Sequence, residues 1–501
     1  MILLHGGRVL RPGAAQVEAA DVLVEGDRIV EVGLRLARPP DAAALDATGF
    51  LVLPGLINAH THGHTHLVRG LAGRWTLEDL LNHGPAMNAN RTAEEQYLSA
   101  AVGALEMLKT GCTAAYDLYM GIPAPTPEMA EAIARAYLDV GLRAVIAPAV
   151  ADLVFYRTVP GLVELLPPDL RGAVQGITAA PTDGLLRLTE ETITRWHGAG
   201  EGRVRVAVAP TIPTQCTDEF LAGCGRLARE HGLGLHTHLA ESKVQAVAAV
   251  RRWGKSAVAR MAELGLLRPG FVGAHGIWIT DDDIAQLADS DSAIAHNPGS
   301  NLRLGSGIAA VREMLDRGLT VGVGTDGSTC SDNQNVFEAI RTAALVGNVR
   351  FPHDARRWLA ADEVLRMGTL GSARLLGLAD DLGAIEPGRK ADLVLLRADS
   401  AFVSPLNDAL ASLVYAETGA SVDTVLVDGR IVLQGGRVLT VDESRLRARA
   451  QEAADRARSR NPGAWQLAAR LGPYIAEACR AAVAAPYPVN RYAAPVAGAT
   501  P

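Results

Sequence analysis

No apolar run in this 501-residue chain reaches the ~18 residues that a membrane-spanning helix needs, so a bilayer span is not expected. Aromatics make up only 4% of the chain, no basic block interleaves with them, and the net charge is −7. A nucleic-acid partner is therefore not expected either. Cysteine is sparse. Cys112, Cys216, Cys224, Cys330 and Cys479 are odd in number and scattered, with no CxxC pair. That pattern suits reduced thiols in the cytoplasm rather than a disulfide framework. The first residues, MILLHGGRVL, meet Gly6-Gly7 and Arg8 before an apolar stretch can form, so no signal peptide is expected. What is present is 48% hydrophobic and 21% charged, ordinary globular material for one large domain and an accessory one.

Short alternating segments, Asp21–Val24, Arg28–Val32 and Leu51–Leu53, open the chain and are divided by Gly and Pro; they read as strands of a small β unit. From Ile57 the rhythm becomes short apolar strands alternating with helical stretches. The strands are expected at Ile57–His60, Thr113–Leu118, Arg143–Val150, Val204–Pro210, Gly234–Leu239, Phe271–Trp278, Ser292–His296 and Thr320–Thr325. Such alternation predicts an α/β fold, a (β/α)8 TIM barrel. Strands return at Ala391–Leu396, Thr424–Val427 and Arg430–Leu433, the last two flanking Asp428-Gly429, a two-residue hairpin turn. The expected division is a discontinuous β-sandwich domain from both chain ends (1–53 plus 386–440), a barrel (54–385), and a C-terminal helix and tail (441–501). Within the last part Val441–Ser459 reads as an amphipathic helix, and the Ala/Pro-rich stretch after Ala481 as loosely ordered or as an arm onto a partner.

Histidine is where the sequence concentrates its chemistry. The chain has 13, and four of them stand at every second position in INAHTHGHTH, Ile57–His66. Alternate strand residues share a face, so His60 and His62 can present two imidazoles together. Others gather at later strand ends: His236, His238 and Glu241 in HTHLAES, His275 in GAHG, His296 in AHNPGSN, with Asp326 in GTDG. Barrel active sites lie at those ends, and core-filling or surface roles would not sort histidines this way. The clustering points to a metal site, since a zinc-type catalytic centre uses about three or four N/O ligands and keeps a place for water. His60, His62, His238 and Asp326 supply three imidazoles and a carboxylate. Glu241 stands where it could shuttle a proton, and His275 could polarise a substrate or complete the coordination. His236 reads as a hydrogen-bonded histidine facing away. Lysine argues for a single metal: the four lysines are Lys109, Lys243, Lys255 and Lys390. None lies in Val204–Thr214, where a bridging carbamylated lysine would be wanted.

PGLINAHTH, HTHLAE, GAHG, AHNPGSNLRLGSG, VGVGTDG and the closing EPGRKADL occur in an order that resembles the amidohydrolase superfamily, in its mononuclear aminohydrolase branch, from about Leu23 to Leu433. The resemblance implies deamination of an amino-substituted N-heterocycle by hydroxide generated at the metal, with release of ammonia. It carries over His60, His62, His238 and Asp326 as ligands of one divalent metal, zinc first and iron or manganese as alternatives, and Glu241, His275 and Asp326 as catalytic. It also implies a homodimer or higher homo-oligomer acting on a small heterocycle. Relatives acting on adenine nucleosides carry HxWPxE, whose glutamate holds the ribose. Here Asn88 stands near that position, which directs the expectation to a free base, a pterin or a triazine. Nucleosides and other leaving groups (chloride, alkylamine, amide) are the alternatives, and a non-catalytic scaffold is the last. Expected substrate contacts are Arg69, Trp75, Asn88, Tyr119, His296 and Asn297, with Asp117 and Gln215 as further pocket candidates. Arg69 could instead pair with Asp117, and His64 and His66 either line the pocket mouth or cap the loop before Leu67.

Overall fold

The computed structural model describes residues 1–11 and 16–492 and shows a mixed α/β protein with two parallel sheets and one mixed sheet. The parallel strands are β1 (Leu56–His62), β2 (Cys112–Tyr119), β3 (Arg143–Val150), β4 (Val204–Val206 with Ala209–Pro210), β5 (Leu235–Leu239), β6 (Phe271–His275), β7 (Ala293–His296) and β8 (Thr320–Val323 with Asp326–Gly327). One sheet runs β4-β3-β2-β1 and takes the Asp326–Gly327 end of β8 beside β1; the other runs β5-β6-β7-β8. The two meet at both margins. His236 N donates to Val208 O at 2.9 Å between β5 and the β4 segment, and Thr325 N donates to His60 O at 3.1 Å between β8 and β1. β2 and β3 are buried at every position, as parallel strands covered on both faces must be.

Helices start where threonines can cap them. Thr76 and Asp79 form a reciprocal capping box before α1 (Leu77–Asn88), and Thr92 and Glu95 form another before α2 (Ala93–Lys109); each satisfies amide groups a helix start leaves open. Strands from both chain ends join one nine-stranded mixed sheet, where Leu393–Arg397 pairs antiparallel with Phe50–Pro54. Asp428 and Gly429 both take positive φ, 50° and 70°, at the turn between Val422–Val427 and Arg430–Gln434, as a tight hairpin requires. Arg143, buried at the start of β3, ties this sheet to the parallel strands through Asp428 at 2.5 Å and Asp392 at 3.3 Å.

The C-terminal segment departs from expectation. The amphipathic stretch forms α3 (Glu443–Arg458), but a second and longer helix, α4 (Pro462–Ala484), follows it. Alanine-rich helix propensity outweighs the interior Pro473. Leu471, Ile475, Ala478 and Ala482 pack against Tyr156, Leu162, Val244 and Val247. The residues after Ala484 are not loose either. Tyr487 Oη donates to Trp278 O at 2.9 Å, while Arg491 donates to Ile277 O at 3.0 Å and Ile279 O at 2.7 Å. The remaining tail, 493–501, lies outside the described residues. Ile475 is 1% exposed, so Ile475→Ala is expected to cost ~2–4 kcal/mol of stability in equilibrium denaturation. A loss below about 1 kcal/mol would show that α4 is not packed as a core element.

Candidate metal centre and its cavity

β1 carries His60 and His62 on one face, and both rings reach the same point as His238 from the end of β5 and Asp326 from the end of β8. One donor atom from each of the four lies within 4.8 Å of the others. Asp326 Oδ1 is 3.3 Å from His60 Nε2 and 3.1 Å from His62 Nε2. Glu241, His275 and Asp326 form an adjoining trio, with His275 Nε2 at 3.7 Å from Glu241 Oε2 and 3.8 Å from Asp326 Oδ2.

Neighbouring acceptors fix the ring protons. His62 Nδ1 lies 2.6 Å from Leu118 O, and His238 Nδ1 2.6 Å from Thr211 O. A carbonyl only accepts, so both Nδ1 atoms carry hydrogen and both Nε2 atoms present lone pairs. Those two Nε2 atoms face each other at 3.1 Å. His60 Nε2 and Asp326 Oδ1, buried beside them, have no hydrogen-bond partner. Converging lone pairs repel one another, and a cation satisfies all of them at once. The donor set therefore fits one metal ion.

The backbone gives this set its shape. Asp326 and His275 take left-handed φ values of 63° and 69° at the ends of their strands, conformations that cost a non-glycine residue about 1 kcal/mol or more. Gln334, fully buried, holds the first of them. Its Nε2 donates to Asp326 O at 2.8 Å, and its Oε1 accepts from Thr61 Oγ1 at 2.5 Å and Thr325 Oγ1 at 2.7 Å. Burial works against ionisation of Asp326, but His60, His62 and His275 outweigh it and hold the carboxyl well below its usual range. For Glu241 the balance is opposite: burial, reinforced by the Asp326 and Glu78 carboxyls, lifts it well above the usual range.

A cavity of about 460 Å³ opens on the cluster, bordered by His62, His238, Glu241 and Asp326. Of the six expected substrate contacts, Asn88 lines it, and Arg69, Trp75, Tyr119, His296 and Asn297 do not. Each of the five has a physical reason. Arg69 pairs with Glu106, not Asp117, and Trp75 stacks on the His83 ring at 4.2 Å. Tyr119 belongs to the core between strands and helices, and His296 is buried outside the cavity with neither ring nitrogen bonded. Asn297 Nδ2 is 3.4 Å from His275 Nε2, against the catalytic candidate itself. Asp117 accepts from Gly63 N and Tyr137 Oη, whereas Gln215 does reach the cavity.

The extra histidines separate. His64 lines the cavity and accepts from Met120 N at 3.2 Å. His66 lies behind it, 3.1 Å from Ser328 Oγ and 3.7 Å from Glu106 Oε2. His236 is fully buried against the His60 and Tyr116 rings, but neither of its nitrogens finds a partner, contrary to expectation. Several residues were missed: Gln334; Glu78, which accepts from Ser242 Oγ at 2.6 Å; and Cys330, whose Sγ is 3.1 Å from Asp326 Oδ2. The cavity wall from α1, with Leu77, Leu80 and Leu81, did carry a signal, since its apolar residues recur at helical spacing.

Residues 51–432 match the model of the Amidohydrolase family. The 5'-deoxyadenosine deaminase of Methanosarcina mazei is 33% identical over 445 residues, 89% of this chain and 95% of that protein. The 5-methylthioadenosine/S-adenosylhomocysteine deaminase of Symbiobacterium thermophilum is 36% identical over 91% of this chain and 98% of its own. Among solved structures, the atrazine chlorohydrolase TrzN of Arthrobacter aurescens in complex with zinc superposes with a TM-score of 0.83 at 28% identity, covering 91% of this chain and all of that one. An adenosine deaminase of Xanthomonas campestris with bound zinc gives 0.80 at 27% identity, over 91% and 98%.

Gln334→Met keeps the volume and removes the amide. It is expected to weaken zinc binding by ~10–100-fold in a chelator competition. An unchanged affinity would show that Asp326 holds its place without Gln334.

Proposed function

The chain belongs to the amidohydrolase family, and from that premise we propose that it hydrolytically deaminates an amino-substituted N-heterocycle, with an adenine-type nucleoside as the first substrate class. The observation that carries the reading is the buried donor set of His60, His62, His238 and Asp326, with Glu241 and His275 against its carboxylate. These four would hold one divalent metal, and zinc is present in the solved structures it resembles. When bound, such an ion lowers the pKa of water towards about 7 and so supplies a nucleophile at neutral pH.

The rest falls to the chain's own groups. Asp326 Oδ2, beside His275 Nε2 at 3.8 Å, accepts the proton of the attacking water. His275, its Nδ1 bonded to Asn301 Oδ1 at 2.8 Å, orients that water and the ring carbon. Glu241, whose burial favours the protonated form, gives a proton to the adjacent ring nitrogen. The remaining hydroxyl adds to the ring carbon, and Asp326 passes its proton to the exocyclic amine. The carbon–nitrogen bond breaks and ammonia leaves, and the proton of the new hydroxyl returns to Glu241 as the ring carbonyl forms.

The nucleoside preference rests on relatives named as deaminases of 5'-deoxyadenosine and of 5-methylthioadenosine/S-adenosylhomocysteine. A second reading, an aminotriazine, is favoured by a cavity with Asn88 in place of a carboxylate and by the likeness to TrzN. The two parallel sheets, bonded at both margins, are read as one (β/α)8 barrel over 54–385. The end strands of 1–53 and 386–440, enclosing Leu4, Val22, Ile29, Leu393 and Leu426, are read as a β-sandwich, with 441–501 as a C-terminal extension. No helix among the described residues is long and apolar enough to cross a membrane; a cytoplasmic homo-oligomer is the setting we propose.

Zinc-loaded protein is expected to release ammonia from one member of a panel of adenine nucleosides, aminopurines, pterins and aminotriazines. Glu241→Gln should lower kcat by ~10²–10⁴-fold while metal content stays at one per chain. Silence across the panel with metal bound would remove the deaminase reading.

A further inference from the structure

Resting on the deaminase reading above, we propose that this cavity selects substrates whose substituent beyond the reacting ring is apolar and uncharged, and rejects those ending in a carboxylate or a zwitterion. Among the described residues the cavity lining contains no lysine or arginine, and its carboxylates, Glu241 and Asp326, both belong to the catalytic cluster. Most of the remaining wall is hydrocarbon and aromatic, with Leu77, Leu80, Met87, Ile122, Phe155 and Leu185, and its polar members are uncharged amides and hydroxyls and the His64 ring.

A charged group brought against such a wall loses its hydration and gains no counter-charge, a cost that binding must absorb. Arg91 does not supply one. It is 5% exposed and does not line the cavity; its Nη1 and Nη2 donate to the carbonyl oxygens of His64 and Met87, and its Nε is buried without a partner. The neutral groups that face the cavity suit a different partner. Asn88 gives its Nδ2 to Gly84 O at 3.2 Å and leaves Oδ1 buried with no hydrogen-bond partner. It is a single neutral acceptor, fit for a hydroxyl or an N–H and not for an anion. Gln215 and Thr329 add further neutral polar groups to the lining. The relative whose name pairs 5-methylthioadenosine with S-adenosylhomocysteine shows why the distinction matters: a thioether methyl matches this wall, and an amino-acid tail does not.

The test uses the zinc-loaded full chain and two matched pairs of ligands. One pair is 5'-methylthioadenosine and S-adenosylhomocysteine; the other is an aminotriazine carrying N-isopropyl and its N-carboxymethyl counterpart. Dissociation constants from calorimetry are expected to favour the neutral member by about 100-fold or more in at least one pair. The same ratio should appear in kcat/KM for whichever ring is turned over. Binding of the charged member within about 10-fold of its neutral partner in both pairs would overturn the inference. Ammonia release decides the reading beneath it separately: neutral selectivity in binding without ammonia from any ligand would leave the selection standing and remove the deaminase.

Discussion

The seam between β8 and β1 is the constraint on which the site depends. Gln334 sits inside it and bonds to Thr61 from one strand and to Thr325 and the Asp326 carbonyl from the other. Asn58 completes the knot: its Oδ1 accepts from Thr325 N at 3.1 Å and its Nδ2 donates to Thr325 Oγ1 at 2.7 Å. Each buried donor or acceptor left unpaired would cost about 1–3 kcal/mol, so the knot is worth most as a complete set. It holds Asp326 in a left-handed conformation that its own backbone disfavours. It also sets β1 at the height where His60 and His62 meet that carboxylate.

From this follows the electrostatic character of the centre. Aligning β1, β5 and β8 brings together donor atoms that repel one another, and second-layer carbonyls forbid the rings from relieving the repulsion by turning. The centre is built for a cation. The Asp326 carboxylate, kept ionised by its histidine neighbours, in turn raises the proton affinity of Glu241. Two buried carboxyls are thus pushed in opposite directions, one towards accepting a cation and one towards keeping a proton. That separation distinguishes an acid–base pair from a simple ion-binding cage.

Much of this was legible in the sequence because it depends on local period. His60, His62, His238, Glu241, His275 and Asp326 are all found by asking which titratable residues close an apolar strand, and all six converge. The wall residues were less legible. Tyr119 and His296 end their strands on the outward face, one register step from the cavity, and a strand's last residue does not announce which face it takes. Gln334 gave no local sign, since its partners lie up to 276 residues away. The helix over Pro462–Ala484 was hidden by its prolines and by a composition that reads as tail. Helix α1 could have been found from its leucines, but its role as a wall needs the third dimension.

That missed helix carries the last link from fold to specificity. α1 contributes the leucines of the cavity, and α4 lies against it, with Asn82 Nδ2 donating to Ala468 O at 2.9 Å. Asn82 Oδ1 accepts from Tyr156 Oη at 3.2 Å, and Tyr156 is itself part of the cavity wall. The apolar side chains of α4 pack on the same loop. Two walls from distant parts of the chain are therefore locked to each other and backed by a segment that supplies none of the metal-centre donors. The histidine centre and the apolar wall have separate supports, the β8–β1 seam for one and the C-terminal helix for the other. Substitutions in α4 can consequently reshape what the cavity admits while the donor set that performs the chemistry stays in register.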